Sequence, residues 1–384
     1  MRYFASAAHL RRSIAALAVA ATAASSVQAQ FVTHNLVGST DGVGDFTDGN
    51  LLNPWGLAFN PEGYAWVANQ GTSTSTLYDG FGAGQMLIVD IAGVPGRKLP
   101  GTPTGVVFNN SDQFLVSDGG ESIGPGRFLF ATEQGTIAAW NPTVPTPEPS
   151  TQSFTTFDDS AAGSRFTGMA IDNTTKGGRL FLANQGLGRV DVLDGGFDHV
   201  TTPGTFSDAM VRGDFAPFNV HTIDTDVFVT WAAPITSNTA RGGESGDGFV
   251  SVFDTDGNLK LRLFGEGHFN APWGIAKAPD SFGVFAGDIL VGNYGDGKIN
   301  AFDPTTGDWV GTLTDADGDD VVIPGLRALS FGNGMFGQRE DSLFFTAGPD
   351  DGAGGVYGEL RLVPSPGSIA LAGLSGLVAI RRRR

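Results

Sequence analysis

The stretch Asn53-Pro54-Trp55-Gly56-Leu57-Ala58-Phe59 has a near copy later in the chain, Ala271-Pro272-Trp273-Gly274-Ile275-Ala276. Each copy leads into a second apolar run that ends in a small polar cluster, at 65–71 and at 288–295. Because a repeated unit of this kind is the signature of a repeat architecture, the self-similarity decides the fold class before any residue propensity does.

Weaker copies of the unit appear when the search template is relaxed to a small residue, an apolar one, any residue and another apolar one. The small residue of the six copies, of which the fourth is degenerate, lies at Gly56, Gly105, Gly168, Asn219, Gly274 and Ala328. Their spacing of roughly fifty residues holds about four short strands, the content of one propeller blade. The spacing therefore predicts six blades.

The composition agrees with an all-β protein. The chain has 384 residues, of which 57 are Gly and 29 are Phe, and long amphipathic helices are hard to find. We predict a single six-bladed β-propeller over residues 30–363. A candidate strand at 31–37 precedes the first unit, and we expect it to pair with 356–362 and close the propeller, because closure removes free sheet edges.

A proline-rich segment at 142–149 cannot hold a central strand, so we expect a loop between the second and third blades.

Charge and cysteine content exclude several function classes. The formal net charge is −17, and seven of the 23 Lys and Arg residues lie in the two end segments, which hold no acidic residue, so the body is more acidic still. Such a surface disfavours nucleic acid and anionic lipid as partners. The chain has no cysteine, so neither disulfides nor thiolate chemistry contribute.

The two ends resemble targeting segments. Residues 1–29 run from a basic start through an apolar stretch to Ala29, which predicts a secretory signal cleaved after Ala29. Arg11-Arg12 leaves the general secretory route and the twin-arginine route of export both open.

At the other end of the chain, two prolines precede an apolar run over 369–380 and four arginines at 381–384. The run is marginal for crossing a hydrocarbon core of about 30 Å, and the arginines favour a cytoplasmic end. We therefore predict an exported protein, in the cell envelope or outside the cell, with a sorting and transient membrane-anchoring tail over 364–384.

This tail resembles the PEP-CTERM sorting segment of exported bacterial proteins, with Ser365 in place of the usual Glu. The body, through 53–80, 331–334 and 343–348, resembles an uncharacterised family of exported bacterial proteins, several of which carry the same tail. More distantly, the units resemble NHL-type blades. The resemblance implies a propeller, export and a sorting enzyme of the exosortase type as partner, and it transfers no catalytic residue.

The position directly before the small residue of each inner strand is equivalent in all six units. Equivalent positions of successive blades form a ring about the axis, and at this mouth end propellers usually bind ligands. The six residues of the predicted ligand-binding ring are Trp55, Thr104, Thr167, Phe218, Trp273 and Arg327. The aromatic rings suit stacking on sugar faces, and Arg327 suits a carboxylate or sulfate. In the alternative interpretation the rings plug the channel. Six-bladed lactonases carry metal ligands at such positions, whereas none of these six residues has a carboxylate, which argues against that activity.

One set of four residues is a candidate for metal binding. Asn69, Asp118, Asn184 and Asn293 end the second apolar run of four units, so they present either a ring of oxygen ligands for Ca²⁺ or side chains that close turns. The acidic segment 315–320 lacks the glycine and glutamate spacing of a calcium loop and predicts a hairpin turn. The histidines show no zinc-ligand spacing. We expect no other cofactor.

Two functional hypotheses follow. The first is a monomeric, non-enzymatic binding or scaffold module of the cell surface or extracellular matrix, with a polysaccharide as ligand. The second is a hydrolase or lyase that acts on an extracellular polymer or lactone. The missing lactonase ligands favour the first.

Overall fold

The computed structural model describes residues 30–172, 174, 178–234 and 246–363. The predicted signal over 1–29 and the predicted tail over 364–384 lie outside the described residues. Within the described ranges, helix is limited to single 3₁₀ turns at Ser160–Ala162, Gly283–Phe285 and Asp350–Gly352. None of the helices in this part of the chain is both long and apolar enough to span a membrane.

Strands account for the regular structure. The chain begins with β1 (Gln30–Gly38) and β2 (Phe46–Thr47). The first blade holds β3 (Pro54–Phe59), β4 (Ala65–Asn69), β5 (Thr74–Tyr78) and β6 (Gly84–Asp90). The second blade region holds β7 (Pro103–Phe108), β8 (Leu115–Ser117), β9 (Ile123–Pro125), β10 (Phe128–Thr132), β11 (Thr136–Trp140) and β12 (Phe154–Asp158).

The remaining blades follow the same order. The third holds β13 (Phe166–Asp172), β14 (Arg179–Asn184) and β15 (Arg189–Asp194), and the fourth holds β16 (Ala216–Ile223), β17 (Asp226–Ala232), β18 (Phe249–Asp254) and β19 (Leu259–Leu263). The fifth holds β20 (Pro272–Lys277), β21 (Ile289–Asn293), β22 (Ile299–Phe302) and β23 (Trp309–Thr312), and the sixth β24 (Leu326–Phe331), β25 (Ser342–Ala347) and β26 (Val356–Val363).

These strands form six blade sheets, in which strands adjacent within a blade pair antiparallel, so the prediction of an all-β, six-bladed propeller is confirmed. The fourth unit, degenerate in sequence, makes a complete four-stranded sheet. In the sixth blade, β1 pairs antiparallel with β26, from Gln30 opposite Val363 to Gly38 opposite Val356. The proline-rich segment joins β11 to β12 inside the second blade, so its predicted place between the second and third blades is wrong.

The small residue of the sequence template has a steric cause. Inner strands of neighbouring blades approach so closely that a Cβ on Gly56 would lie 2.7 Å from the carbonyl oxygen of Thr104. A Cβ on Gly105 would lie 2.6 Å from the amide nitrogen of Met169 in the next blade. Contacts below 3 Å require the backbone to move, so glycine at these positions permits the inner strands to close around the axis.

The hydrophobic core lies between adjacent blades. Trp66 of the first blade stacks on Phe128 of the second, with ring centroids 3.9 Å apart. Phe31 of β1 is buried in the cluster of the fifth and sixth blades, where its ring centroid lies 4.9 Å from that of Phe282. Burial of one such side chain contributes about 1.5–3 kcal/mol, so these contacts hold the blades, and the residues at the axis, in fixed positions.

Candidate functional site

The aromatic members of the predicted ring meet at the propeller axis. The ring centroid of Trp55 lies 6.2 Å from that of Phe218 and 6.0 Å from that of Trp273, both in edge-to-face geometry. Phe218 also contacts Tyr294, whose centroid is 6.2 Å away. Edge-to-face pairs at this distance are favourable beyond the apolar area that they bury. The structure therefore brings together three of the residues that the sequence predicted.

Arg327 completes this cluster. Its guanidinium carbon lies 4.5 Å from the ring centroid of Trp55 and 3.7 Å from that of Tyr294. Its Nη1 donates a hydrogen bond to the carbonyl oxygen of Gly325, at 2.9 Å. A guanidinium between two aromatic faces is held by cation–π attraction, which strengthens when the pair is removed from water.

The two threonines of the predicted ring take part in hydrogen bonds between inner strands of different blades. Thr104 Oγ1 donates to the carbonyl oxygen of Phe166 at 2.9 Å, which links the second blade to the third. The carbonyl oxygen of Thr167 accepts a hydrogen bond from Trp273 Nε1 at 3.0 Å, across the axis. Both threonine side chains are fully buried. Their position therefore explains how the inner strands are tied together.

Trp55, Phe218, Trp273, Tyr294 and Arg327 form what we call the axial plug. Trp55 and Arg327 are each 1% exposed and Trp273 is 4% exposed, so solvent does not reach the ring faces. This burial favours the plug interpretation. A ligand-binding role for the six predicted residues stays a prediction, to be decided by direct binding measurements.

Next to the plug, four polar side chains that the sequence prediction missed form a connected group, which we call the polar belt. Asn53 Nδ2 donates to Gln70 Oε1 at 2.6 Å, and Gln70 Nε2 donates to Glu133 Oε2 at 2.5 Å. Glu133 Oε1 accepts from Arg165 Nη2. The belt thus runs across the first three blades. The side chains of Glu133 and Arg165 are 17% and 28% exposed, so the pair remains within reach of solvent.

Local structure explains the position of the belt. Gln70 and Glu133 come directly after β4 and β10, the second strands of their blades, while Asn53 and Arg165 lie two residues before ring positions. The sequence feature that could have pointed to Gln70 is the repeat Asn69-Gln70-Gly71, which recurs as Asn184-Gln185-Gly186. The sequence prediction singled out the asparagine of each repeat instead of the residue that follows it.

Those asparagines are buried and bond locally. Asn69 Nδ2 donates to Thr76 Oγ1 at 2.9 Å, and Asn184 Nδ2 donates to Asp191 Oδ2 at 2.6 Å, each within its own blade. Asn293 Nδ2 donates to a backbone carbonyl oxygen at 2.8 Å. Asn184 Oδ1 also accepts from the backbone amide of Leu187 at 3.1 Å, which closes a turn, whereas the bonds of Asn69 and Asn293 join neighbouring strands and loops.

Asp118 is not equivalent to these asparagines. It follows β8, which pairs with β9 in a separate two-stranded sheet, whereas the second strand of that blade is β10. The inserted hairpin displaced the sequence alignment of the second unit. Across the described ranges, no group of three or more His, Cys, Asp or Glu side chains is placed to hold a metal ion.

The acidic segment 315–320 forms a turn. Asp315 Oδ1 accepts hydrogen bonds from the backbone amides of Asp317 and Asp319, at 2.9 and 3.0 Å. A carboxylate that accepts from amides two and four residues later closes a turn with its own side chain. This geometry agrees with the predicted hairpin turn.

A pocket of about 330 Å³ lies next to the plug, between the fifth and sixth blades. It shares Tyr294 with the plug, and its walls include Asp296, Asp350 and Asp351. Three acidic residues around one pocket give this part of the surface a negative potential, which attracts cations and disfavours anions.

Comparison with known proteins shows to which family the chain belongs. No protein-family model matches the sequence. The chain is 32% identical over 320 residues to uncharacterized protein L690 of Acanthamoeba polyphaga mimivirus, across 82% of this chain and 81% of that protein. It is also 32% identical over 328 residues to uncharacterized protein R648 of the same virus, across 82% of this chain and 76% of that protein. The chain belongs to the family of these mimivirus proteins.

This finding corrects the family expected from sequence. The relatives that show the family are mimivirus proteins, so the predicted membership in a family of exported bacterial proteins with a PEP-CTERM tail is wrong. The sequence similarity spans most of both chains.

One solved structure supports the fold, and a second superposes too loosely to support it. A protein of unknown function from Bacteroides thetaiotaomicron superposes with a TM-score of 0.53 at 11% identity, over 87% of this chain and 77% of that one. A streptogramin B lyase superposes with a TM-score of 0.46 at 12% identity, over 87% and 98%. Likeness at such identity concerns the fold alone and transfers no activity.

Proposed function

We propose that the protein is a non-enzymatic binding module for a neutral polysaccharide, and that the ligand contacts the polar belt while the axial plug supports the belt from below. The observation that carries the proposal is the hydrogen-bonded series from Asn53 through Gln70 and Glu133 to Arg165, partly open to solvent beside a sealed axis.

The chemistry of the belt suits sugar hydroxyls. A hydroxyl both donates and accepts, and the belt offers amide donors, amide and carboxylate acceptors, and a guanidinium donor. The belt residues sit at strand ends of a rigid fold and already hold one another in place. A preorganised site loses little conformational entropy on binding, which favours affinity.

The charge around the belt argues for a neutral ligand. The carboxylates of Asp296, Asp350 and Asp351 line the neighbouring pocket, and the whole chain carries a formal charge of −17. Arg327 was the predicted partner of a carboxylate or sulfate, but it is buried against Trp55 and Tyr294. An anionic polymer would therefore meet repulsion, and the cation of the belt, Arg165, is already paired with Glu133.

We also propose that the module works outside the cytoplasm, at the cell envelope or beyond it. The support is the sequence of residues 1–29, with a basic start, an apolar stretch and small residues before the expected cleavage site. Fractionation of cells that express the full chain or a variant without residues 2–29 tests this part. Equal amounts of both forms in the cytoplasm would refute export.

Binding is tested with a panel of neutral and acidic polysaccharides and lactones, with and without Ca²⁺. The wild-type protein is compared with Glu133→Gln, which keeps the shape of the side chain and removes its charge. The matched control is Glu62→Gln, which makes the same change on the exposed turn between β3 and β4.

We expect wild type and Glu62→Gln to bind a neutral polysaccharide equally. Glu133→Gln should bind about tenfold more weakly, because a charged hydrogen bond contributes about 1.5–3 kcal/mol. Equal binding by all three proteins would refute the assigned site. Turnover of a lactone or polymer would refute the non-enzymatic function.

A further inference from the structure

A second cavity lies on the axis, beyond the plug. Its volume is about 210 Å³, and all six inner strands line it after the positions that form the plug. Trp273 belongs to both the plug and the cavity lining, so the plug closes one end. Phe59, Phe108 and Thr222 line the other end and are half-buried, which places an opening where the inner strands end.

The cavity walls are mainly apolar, although Asn219, His221, Thr222 and Ser330 also line them. The position two residues after each ring position carries a large apolar side chain in all six blades. These residues are Leu57, Val106, Met169, Val220, Ile275 and Leu329, and all of them line the cavity. A charged group inside such walls would lose its hydration without compensation, so the cavity selects against ions.

The lining also contains one ionisable side chain, that of His221. In the next position along each strand, the other five blades carry small or aliphatic residues, Ala58, Val107, Ala170, Ala276 and Ser330, and the fourth blade carries His221. Within the described part of the chain, no hydrogen bond to the His221 imidazole is found, whereas the neighbouring Thr222 hydroxyl donates to the carbonyl oxygen of Ile171 at 2.9 Å. Burial lowers the pKa of His221 to about 4, so the ring is neutral at neutral pH. A neutral imidazole offers one donor and one acceptor.

We propose that this axial cavity binds a small phenol-like molecule, with its single aromatic ring between the apolar walls and its hydroxyl hydrogen-bonded to His221. The size agrees, because an apolar cavity of about 150 Å³ accommodates benzene and the axial cavity is somewhat larger, at about 210 Å³. The site is independent of the polar belt, since the plug separates the two.

The test compares phenol and benzene on the intact protein by isothermal titration, in wild type and in His221→Ala. Removal of the imidazole should weaken phenol binding at least about tenfold, as expected for one lost hydrogen bond in an apolar setting. Benzene binding should persist, because its contacts are with the walls. Benzene thus reports that the variant still forms the cavity.

His199→Ala is the matched control, since His199 is exposed and packs on Phe157 away from the axis. It should bind phenol as wild type does. If His221→Ala fails to fold, the imidazole nitrogen resonances of wild type are followed instead, and those of His221 should move when phenol is added. Absence of saturable phenol binding by wild type, an equal loss in both histidine variants, or unmoved His221 resonances would overturn the proposal.

Discussion

The guanidinium of Arg327 lies over the indole of Trp55, with its central carbon 4.5 Å from the ring centroid, at the centre of the propeller. A charge at such a buried place is tolerated because two aromatic faces and the carbonyl oxygen of Gly325 surround it. The pair joins the sixth blade to the first, so it contributes to closure of the ring of blades.

Arg327→Lys should destabilise the protein even though it keeps the charge. An ammonium cannot stack as a flat group on Trp55 and Tyr294, so we expect a loss of about 1–2 kcal/mol in the free energy of unfolding. Arg339→Lys is the control, because Arg339 is 57% exposed and pairs with Asp341 on the surface, where a pair contributes about 0–1 kcal/mol. Urea denaturation of both variants measures the difference. Equal losses would show that the aromatic stack contributes nothing.

Trp273→Ala tests the structural role of the plug. The indole is buried, and its Nε1 donates to the carbonyl oxygen of Thr167 across the axis. Truncation of a buried aromatic side chain costs about 3–5 kcal/mol, so the melting temperature should fall markedly. Trp309→Ala, on the half-buried strand β23, should cost less. An unchanged melting temperature together with lost polysaccharide binding would show that Trp273 is a ligand contact and not a plug.

The steric explanation of the repeat is tested by Gly105→Ala. The added methyl would lie 2.6 Å from the amide nitrogen of Met169, and such overpacking costs about 1–3 kcal/mol. Gly49→Ala is the matched control, since no atom lies within 4 Å of the added carbon. Thermal unfolding should separate the two variants. A neutral Gly105→Ala would mean that the inner strands tolerate a wider spacing.

The buried pair of Asp208 and Arg262 predicts a pH dependence. Arg262 Nε donates to Asp208 Oδ2 at 2.7 Å, and Ser251 Oγ donates to the same oxygen at 2.8 Å. Burial alone would raise the pKa of Asp208, but the hydrogen bonds from Arg262, the Met210 amide and Ser251 hold it below its ordinary value. The stabilisation is therefore complete above the unfolded-state pKa, about 3.9, and is lost as the pH falls through the lower folded-state pKa.

Asp208→Asn should reduce the free energy of unfolding at pH 7 by about 1–3 kcal/mol, the range for hydrogen bonds to a charged group. The difference from wild type should shrink once the pH falls below about 4. Chemical denaturation at a series of pH values measures it. A difference that stays constant down to pH 2 would contradict the assigned ionisation.

Much of the architecture could be predicted from the sequence, because the repeat has a steric cause. Gly56 and Gly274 mark positions where a neighbouring blade leaves no room for a side chain, so the pattern survives even where the strands diverge. The meeting of Trp55 and Trp273 at the axis follows from the same equivalence. The hairpin of β8 and β9 could not be predicted, because an inserted pair of short strands resembles the strands of a blade.

The polar belt was harder to predict. Glu133 and Arg165 belong to different blades and meet only through the closure of the ring, so no local pattern connects them. The burial of Arg327 was equally hidden, since the sequence alone does not indicate the two rings that enclose it. Contacts between blades depend on the rotation from one sheet to the next, and the residue pattern within one blade does not contain that information.

The most direct test of the account is to map the bound polysaccharide by nuclear magnetic resonance on the isotope-labelled protein. If the polar belt is the binding site, resonances of Gln70, Glu133 and Arg165 should shift in proportion to the bound fraction, while the buried indole resonances of Trp55 and Trp273 should change little. Shifts confined to other faces of the propeller, with the belt resonances unmoved at saturation, would contradict it.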